Sequence, residues 1–412
     1  MHHPRISVRL MHILHVEKML FVPSGVTSTV CALAEVQRRS GHAVSFFSCR
    51  KGEEPKKFPP FRDFTLSPNP LALWPMIHNA RAAAMLEAFL GRLDHVDVAH
   101  VHNLYHHLTP SILPVLARRR IPIVMTVHDY RLACPTKHFL RPDGVCTRCW
   151  PHRLYHAASP RCAGLAGAAL AVETLVQRFL RRYVRWVEVF FLPSGFMAEV
   201  MARVGVPASK LAVVPNIVDA LALPPDVPRQ SNRLVFAGRL TAEKGPELML
   251  DLAERLPAAQ VVLAGGGAML EGLKLDVARR HLVNVTFTGP LDRPDLAKLF
   301  ASATAVVLSS RCMENSPQTM LEAMACGRAV IVPDHPTLRP WVTDGRTGRV
   351  FRTGSAESLA AVAAEVLADL AGREAMEHRA AELISRRHDA SAIAGRIEEL
   401  YREAQRRCAS RW

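Results

Sequence analysis

Two successive series of short apolar runs, each followed by an amphipathic segment, constrain the fold of this 412-residue chain more than any other feature. Such alternation reads as βαβ units and a parallel sheet. In the first series residues 10–16 read as a strand, and residues 27–39 as a helix with Val30, Leu33, Ala34 and Gln37 at helical spacing. A turn and second strand follow at 41–47, with further strands at 96–102, 121–127 and 188–192. Residues 216–232 carry Pro224, Pro225 and Pro228 with few apolar anchors, and read as a linker. The second series has strands at 233–237, 260–264, 283–287, 305–308 and 329–332. Its helices are expected at 246–256, 269–281, 294–302 and 318–326. A chain this long exceeds one ordinary core. The expectation is an α/β protein with domains at 1–215 and 233–392 and a last helix within 393–412, read over 393–404. Two such sheets leave a cleft where the carboxyl ends of strands meet, a usual ligand position.

The net charge of +15 is unevenly placed. Residues 1–215 hold 27 Lys and Arg against 13 Asp and Glu, and 15 of the 19 histidines. That half either faces something anionic or is solubilised by arginine. No helix-turn-helix, zinc-finger, RNP or KH signature accompanies the charge, so nucleic acid is not an expected partner. No run of about 18 uncharged apolar residues suggests a membrane span. The first residues lack the apolar stretch of a signal peptide, so a cytoplasmic location is expected.

The chemistry-bearing residues concentrate in the second half. Gly238, Arg239 and Leu240 follow a strand directly, and Glu243, Lys244 and Gly245 come within a turn. A guanidinium fork and an ammonium beside glycines and a helix start suit a diphosphate; the plain alternative is a solvated loop with two cations. Glu314 and Glu322 flank a loop and the beginning of a helix. Two carboxylates can hold pairs of hydroxyls, as of a sugar and a ribose. The N–H groups around Ser316, Gln318 and Thr319 could cap phosphate oxygens. A lone Glu322 would otherwise be an ordinary first-turn carboxylate. Gly265, Gly266 and Gly267 would let a ligand approach the backbone, though a tight turn needs glycine anyway.

Taken in order, these pieces resemble glycosyltransferase family 4. The resemblance rests on Phe236-Ala237-Gly238-Arg239-Leu240 with Glu243-Lys244-Gly245, on Val213-Val214-Pro215-Asn216, and on the segment from Glu314 to Gly327. It implies the GT-B fold: two facing Rossmann-like domains, with a C-terminal helix crossing back to the first. It implies a retaining transferase that takes a sugar from a UDP- or GDP-sugar and needs no metal for catalysis. The acceptor would be a glycan or a lipid-linked hydroxyl. Arg239 and Lys244 would hold the diphosphate, Glu322 the ribose, and Glu314 the transferred sugar. Gly238, Gly266, Asn315, Ser316, Pro317, Gln318 and Thr319 would complete the nucleotide-sugar site. In the first half, His128 in Thr126-Val127-His128-Asp129-Tyr130 would reach the reaction centre. Gly25 would turn the backbone where the family has a Gly-Gly pair and this chain has Ser24-Gly25.

Other features stand beside the resemblance. Cys146-Thr147-Arg148-Cys149, with Cys134 and Cys162, lies in a cysteine-bearing insert at 130–165. The spacing suits structural zinc, with free thiols or a redox role as alternatives. His100 and His102 alternate onto one face and suggest a zinc pair, against plain packing. Residues 172–186 read as a basic amphipathic helix with Arg178, Arg181, Arg182 and Arg185. It would either lie on an anionic membrane, making the protein peripheral on the inner face, or pack on its own domain. The rival functions are a phosphorylase or epimerase of the same fold, which for a phosphorylase lacks a pyridoxal-lysine context, and a nucleotide- or nucleic-acid-binding module without catalysis. A NAD-dependent dehydrogenase lacks its Gly-x-Gly-x-x-Gly after the first strand.

Overall fold

The computed structural model describes residues 10–18, 20, 24–49, 78–105, 108–163, 167–168, 170–172, 174, 185–218, 221 and 223–412. The chain divides into two compact units. One comprises Met1–Lys137, Arg148–Ile217 and Ala390–Trp412; the other comprises His138–Thr147 and Val218–Asp389.

The elements of the first half are β1 (His12–Val16), α1 (Gly25–Arg39), β2 (Ala43–Phe47), α2 (Ala80–Leu90), β3 (Val98–Val101), α3 (Leu113–Arg118), β4 (Ile123–Thr126), β5 (Leu140–Arg141), β6 (Gly144–Val145), β7 (Val187–Leu192), α4 (Gly195–Arg203) and β8 (Leu211–Val213). Six of these strands form one parallel sheet in the order β2-β1-β3-β4-β7-β8. Every residue of β7 is buried, as expected of a strand covered on both faces. Helix α1 starts where the Ser24 hydroxyl accepts from the Thr27 N–H at 3.2 Å, and carries Arg38 and Arg39 in its last turn.

The last helix, Ala390–Ala409, completes this unit. Ile393, Ile397, Leu400, Tyr401 and Ala404 lie on one face and pack with Ile13, Val98, Val124 and Phe191. Full burial of each Ile or Leu contributes about 2 kcal/mol. The helix was expected to return to the first domain, and it does so with a longer span than the 393–404 read from the pattern.

The second unit holds β9 (Arg233–Ala237), α5 (Glu247–Arg255), β10 (Gln260–Ala264), α6 (Leu270–Arg279), β11 (Val285–Gly289), α7 (Arg293–Ser302), β12 (Ala305–Val307), α8 (Gln318–Ala325), β13 (Ala329–Pro333), β14 (Arg349–Phe351), α9 (Ala356–Ala368) and α10 (Leu370–Arg387). Its parallel sheet runs β11-β10-β9-β12-β13-β14, with an apolar core on each face. Together the two sheets establish the expected α/β architecture of two parallel-sheet domains.

Two boundary expectations are corrected. The segment read as a linker at 216–232 is fastened to the second unit from Val218 onward. Leu221 is buried in its core, Gln230 N–H donates to the Ser302 carbonyl at 2.9 Å, and Arg229 pairs with Glu377 at 3.1 Å. The prolines stop regular structure there but do not stop packing. Within the insert at 130–165, His138–Thr147 groups with the second unit. This stretch forms its own antiparallel pair, Leu140 opposite Val145, and so needs no place in the first sheet. Arg311 donates to the Pro142 carbonyl at 3.4 Å.

Among the described residues no helix is long and apolar enough to cross a membrane. Arg178, Arg181 and Arg182 of the expected basic helix lie outside the described residues.

Candidate functional site

In the second unit the chain runs outward from β9 through β10 to β11, then returns to place β12 on the other side of β9. Loops leaving the carboxyl ends of β9 and β12 diverge at such a reversal, which is where open α/β sheets bind ligands. Gly238-Arg239-Leu240 leaves β9 here, and the loop carrying Glu314 leaves β12. The β9 loop is held by the glycine turn after β10. Gly238 N–H donates to the Ala264 carbonyl and Leu240 N–H to the Gly266 carbonyl, both at 2.9 Å. A Cβ on Gly265, at φ +134°, would lie 1.9 Å from the Gly238 carbonyl oxygen. Gly265 is therefore fixed by loop packing, while a Cβ on Gly266 would meet only Pro290, at 3.4 Å.

Lys244 ends a single helical turn, Ala242–Lys244, closed by Gly245 at φ +59°. A Cβ on Gly245 would lie 2.5 Å from the Ser309 carbonyl oxygen, so only glycine lets the two loops meet. They are stitched by Ser309 Oγ donating to the Lys244 carbonyl at 2.9 Å and Arg311 N–H donating to the Glu243 carbonyl at 3.0 Å. This brings Lys244 Nζ 2.5 Å from Glu314 Oε1, which also accepts from Ser310 Oγ at 2.5 Å. Burial alone would push the Glu314 carboxyl up. The Lys244 charge and the hydrogen bonds from Lys244 and Ser310 outweigh it and hold the group below its ordinary range. Burial likewise pulls Lys244 down, and Glu314 overrides it to leave the ammonium above its ordinary value. Both groups stay charged across neutral pH. Arg239 stands mostly exposed and pairs with Glu243 at 3.0 Å.

Glu314 and Asn315 are buried. The Ser316 hydroxyl oxygen and the Gln318 amide nitrogen are also buried, and neither has a hydrogen-bond partner among the described residues. Orphaned polar atoms of this kind cost stability unless something else satisfies them. They sit where Pro317 leads into α8, with Gln318 and Thr319 its first residues. Glu322 was expected near the helix start, where the dipole would favour it. It lies a full turn further in, buried, with Arg293 Nη1 3.3 Å from its Oε1. A guanidinium, not the helix end, balances this carboxylate. Sequence reading missed Arg293, Ser310 and His335, whose Nε2 lies 3.2 Å from the Ser310 carbonyl oxygen.

In the first unit, Gly25 is the first residue of α1 and is absent from the positive-φ glycines among the described residues. It starts a helix where a turn was expected, and Ser24 caps that helix. His128 follows β4 and belongs to a larger group. His15 on β1 pairs in register with His100 on β3, and His102 lies two residues along the same face. His15 Nδ1 is 3.0 Å from His102 Nε2, and His102 Nδ1 is 3.0 Å from His128 Nε2. His15 Nε2 is 2.7 Å from Gln37 Oε1, and Gln37 Nε2 donates to the Tyr401 hydroxyl at 2.9 Å. That hydroxyl is 2.7 Å from His100 Nδ1, and His100 Nε2 is 2.7 Å from Thr126 Oγ1. Burial pulls His15 and His128 down to about 4, and His100 and His102 well below the ordinary histidine value. The four rings are neutral at pH 7.

His15, His100 and His102 are the one group among the described residues whose side chains could converge on a metal ion. Among the described residues Cys134, Cys146, Cys149 and Cys162 do not form a convergent group of the kind the three histidines make. Cys146 lies in the stretch that groups with the second unit, while the other three belong to the first. Cys149 instead packs with Leu154, Ala157, Ala171 and Cys162.

Comparison with known proteins divides the chain near residue 220. Residues 23–220 match the family model described as Glycosyltransferase Family 4, and residues 224–407 match that described as Glycosyl transferases group 1. A D-inositol 3-phosphate glycosyltransferase of Mycobacterium avium is 36% identical over 135 residues, which is 31% of this chain and 31% of that protein. The match thus spans about a third of that relative's length. A phosphatidyl-myo-inositol mannosyltransferase of Mycolicibacterium smegmatis is 25% identical over 92% of this chain and 90% of its own. Among solved structures, Anabaena HepE in complex with UDP and glucose aligns over 95% of this chain and 99% of its own, with TM-score 0.69 and 18% identity. A sucrose-phosphate synthase from Thermosynechococcus elongatus aligns over 95% and 98%, with TM-score 0.73 and 19% identity.

Proposed function

The chain belongs to the family 4 glycosyltransferases, with the GT-B fold, and we propose from that premise that it moves a sugar from a nucleotide-sugar donor to a hydroxyl acceptor with retention of configuration. The observation that carries the reading is the pair of cations Arg239 and Lys244 at the sheet reversal, beside the unpartnered Ser316 hydroxyl and Gln318 amide. Those four groups suit the diphosphate of a donor. Glu314 would hold hydroxyls of the transferred sugar and Glu322 those of the ribose, each carboxylate already oriented by a cation. As the bond from the anomeric carbon to the phosphate oxygen breaks, its electron pair stays on the diphosphate. Arg239 and Lys244 stabilise that developing charge. The acceptor oxygen bonds to the anomeric carbon on the same face, and its proton passes to the departing phosphate. His128 would orient the sugar. The assignment of a role to each of these residues is part of the proposal.

The competing reading is a nucleotide-binding module without catalysis. Thermal shift with UDP, GDP, UDP-glucose, GDP-mannose and an oligonucleotide, together with release of nucleoside diphosphate from the sugar donors, separates the two. A diphosphate is expected to raise the melting temperature and an oligonucleotide to leave it unchanged. Donor turnover in the presence of EDTA is expected, because two fixed cations serve where other transferases use a metal. Binding without any turnover, with or without acceptor extracts, would favour the module.

We further propose that the acceptor is lipid-linked or a growing surface polysaccharide, and that the first half of the chain meets it at an anionic membrane. Its support is the charge placement, since residues 1–215 carry +14 of the +15, and the mannosyltransferase relative named for a phosphatidyl lipid. Each Lys or Arg near such a surface contributes about 1 kcal/mol, screened by salt. Cosedimentation with phosphatidylserine vesicles is expected at low salt, and little with neutral vesicles. Equal binding to both, or to neither, would leave the charge as a solubility feature.

A further inference from the structure

We propose that Ser310 and His335 are positioning residues for Glu314, and that together they set how the site handles the transferred sugar without setting its hold on the nucleoside diphosphate. The proposal rests on the reading of Glu314 as the group that holds hydroxyls of that sugar, and adds what aims it.

Glu314 carries its carboxylate on a side chain with several rotatable bonds, and Oε1 receives two donors, Lys244 Nζ and Ser310 Oγ, each at 2.5 Å. An ammonium is a point charge on a flexible stem. It draws a carboxylate in and leaves the carboxylate plane unset. A hydroxyl on a short side chain, which must approach from another direction because two donors cannot share one place, sets that plane. The carboxylate is held below its ordinary range and has no proton to give, so Ser310 donates.

A serine hydroxyl is only as well placed as its backbone. Ser309 Oγ donates to the Lys244 carbonyl at 2.9 Å and the Arg311 N–H to the Glu243 carbonyl at 3.0 Å, so the residues on either side of Ser310 are tied to the Lys244 turn. The Ser310 carbonyl is tied instead to His335, whose Nε2 lies 3.2 Å away. A carbonyl only accepts, so His335 carries a proton on Nε2 whatever the state of Nδ1. Each donor on this path meets an atom that can only accept, and the path has a single direction of donation.

His335 is itself set by the backbone. It lies two residues past β13, where the Asp334 N–H still donates to the Phe351 carbonyl of β14 at 2.8 Å. Its own N–H donates to the Pro333 carbonyl at 2.8 Å, and its carbonyl accepts from the Leu338 N–H at 3.0 Å. Sheet order brings the two loops together: β12 and β13 are neighbours, with Val307 opposite Ile331. Ser310 and His335 are 1% and 3% exposed. A buried carbonyl that lost its imidazole would lack a donor unless the loop moved, and the loop that moves carries the Ser310 hydroxyl. Arg239 stands on the β9 loop outside this path, and Lys244 keeps its own helical turn. The groups assigned to the diphosphate are therefore spared.

The test uses the full chain with Ser310→Ala, His335→Leu, His335→Gln and, as reference, Glu314→Gln. Calorimetry gives the Kd of UDP and of GDP, and release of nucleoside diphosphate gives turnover at saturating donor across a panel of UDP- and GDP-sugars. Ser310→Ala is expected to lower turnover about tenfold, what one hydrogen bond to a charged group is worth, and to change the diphosphate Kd by less than about twofold. His335→Leu is expected to act in the same direction. His335→Gln, whose amide can donate in place of the ring, is expected to recover most of the loss. Ser310→Ala removes a single oxygen and decides the matter if His335→Leu fails to fold. Equal losses in diphosphate affinity and in turnover would make both residues structural and overturn the proposal. Near-parental turnover in Ser310→Ala and His335→Leu, with turnover lost in Glu314→Gln, would overturn it and leave the role of Glu314 standing. Near-parental turnover in Glu314→Gln would overturn that role, and absence of turnover in the parent chain across the panel would overturn the transfer reading; the proposal falls with either.

Discussion

Arg239→Ala is expected to lower turnover by at least ~100-fold, through loss of about 3 kcal/mol of transition-state charge stabilisation. The fold should be spared, because Arg239 is mostly exposed and its pair with Glu243 is a surface pair, the kind that contributes about 1 kcal/mol or less. Lys244→Ala is expected to match it in turnover but not in stability. Burial distinguishes the two cations. Lys244 Nζ sits 2.5 Å from a Glu314 carboxylate that is buried. Removing the ammonium strands that carboxylate, and breaking a pair of this kind costs about 3–5 kcal/mol. Single-turnover rates at saturating donor, with melting temperatures beside them, resolve the two. Near-parental turnover in both variants would remove the diphosphate assignment.

Acid should open the first unit before the second. His15 takes its proton near 6.5 when unfolded and only near 4 in the fold. Between those values the unfolded chain binds a proton that the folded chain refuses, so stability falls as pH drops from 6.5 to 4 and then levels. For His15 this amounts to about 3 kcal/mol. His100, His102 and His128 act in the same sense. Glu188, whose carboxyl is pushed up by burial, acts in the opposite sense, one group against four. A domain has about 5–15 kcal/mol in total, so the histidine group alone can exhaust it. In the second unit burial pulls down His335. Hydrogen exchange by mass spectrometry from pH 7.5 to 4.5 assigns the opening to one unit or the other. Equal protection of β1, β3 and β4 at pH 7 and pH 5 would refute the neutral-histidine account.

What could be read from the sequence divides along a physical line. Strands β9 and β10 have the expected bounds, because five apolar residues between turn signals leave little choice. The cation and carboxylate loops were found because each is contiguous. β8 and β14, at three residues each, are too short for any period to show. The histidine line was half visible. His100 and His102 alternate on one strand, but His15 lies 87 residues from His102, and Tyr401 lies 364 from Gln37. Only strand order joins them. The Lys244–Glu314 contact likewise depends on Gly245 permitting a close loop approach, which spacing cannot report. Arg293 had one available signal, an Asp292 cap and Pro294 marking a helix start, but nothing linked it to Glu322.

Tyr401 and its neighbours also have a consequence for the order in which this protein can be made. The core of the first sheet takes one of its faces from Ile393, Ile397, Leu400 and Tyr401, and the whole of Val218–Asp389 is translated before them. At about 5–20 residues per second that interval lasts roughly 10–35 s. Throughout it the first sheet lacks the apolar side chains of the last helix and its histidine group lacks a phenol, while every residue of the second unit has been made. The half synthesised first is therefore the half finished last, and a chaperone that shields nascent apolar surface would find its longest engagement at β1, β3 and β4.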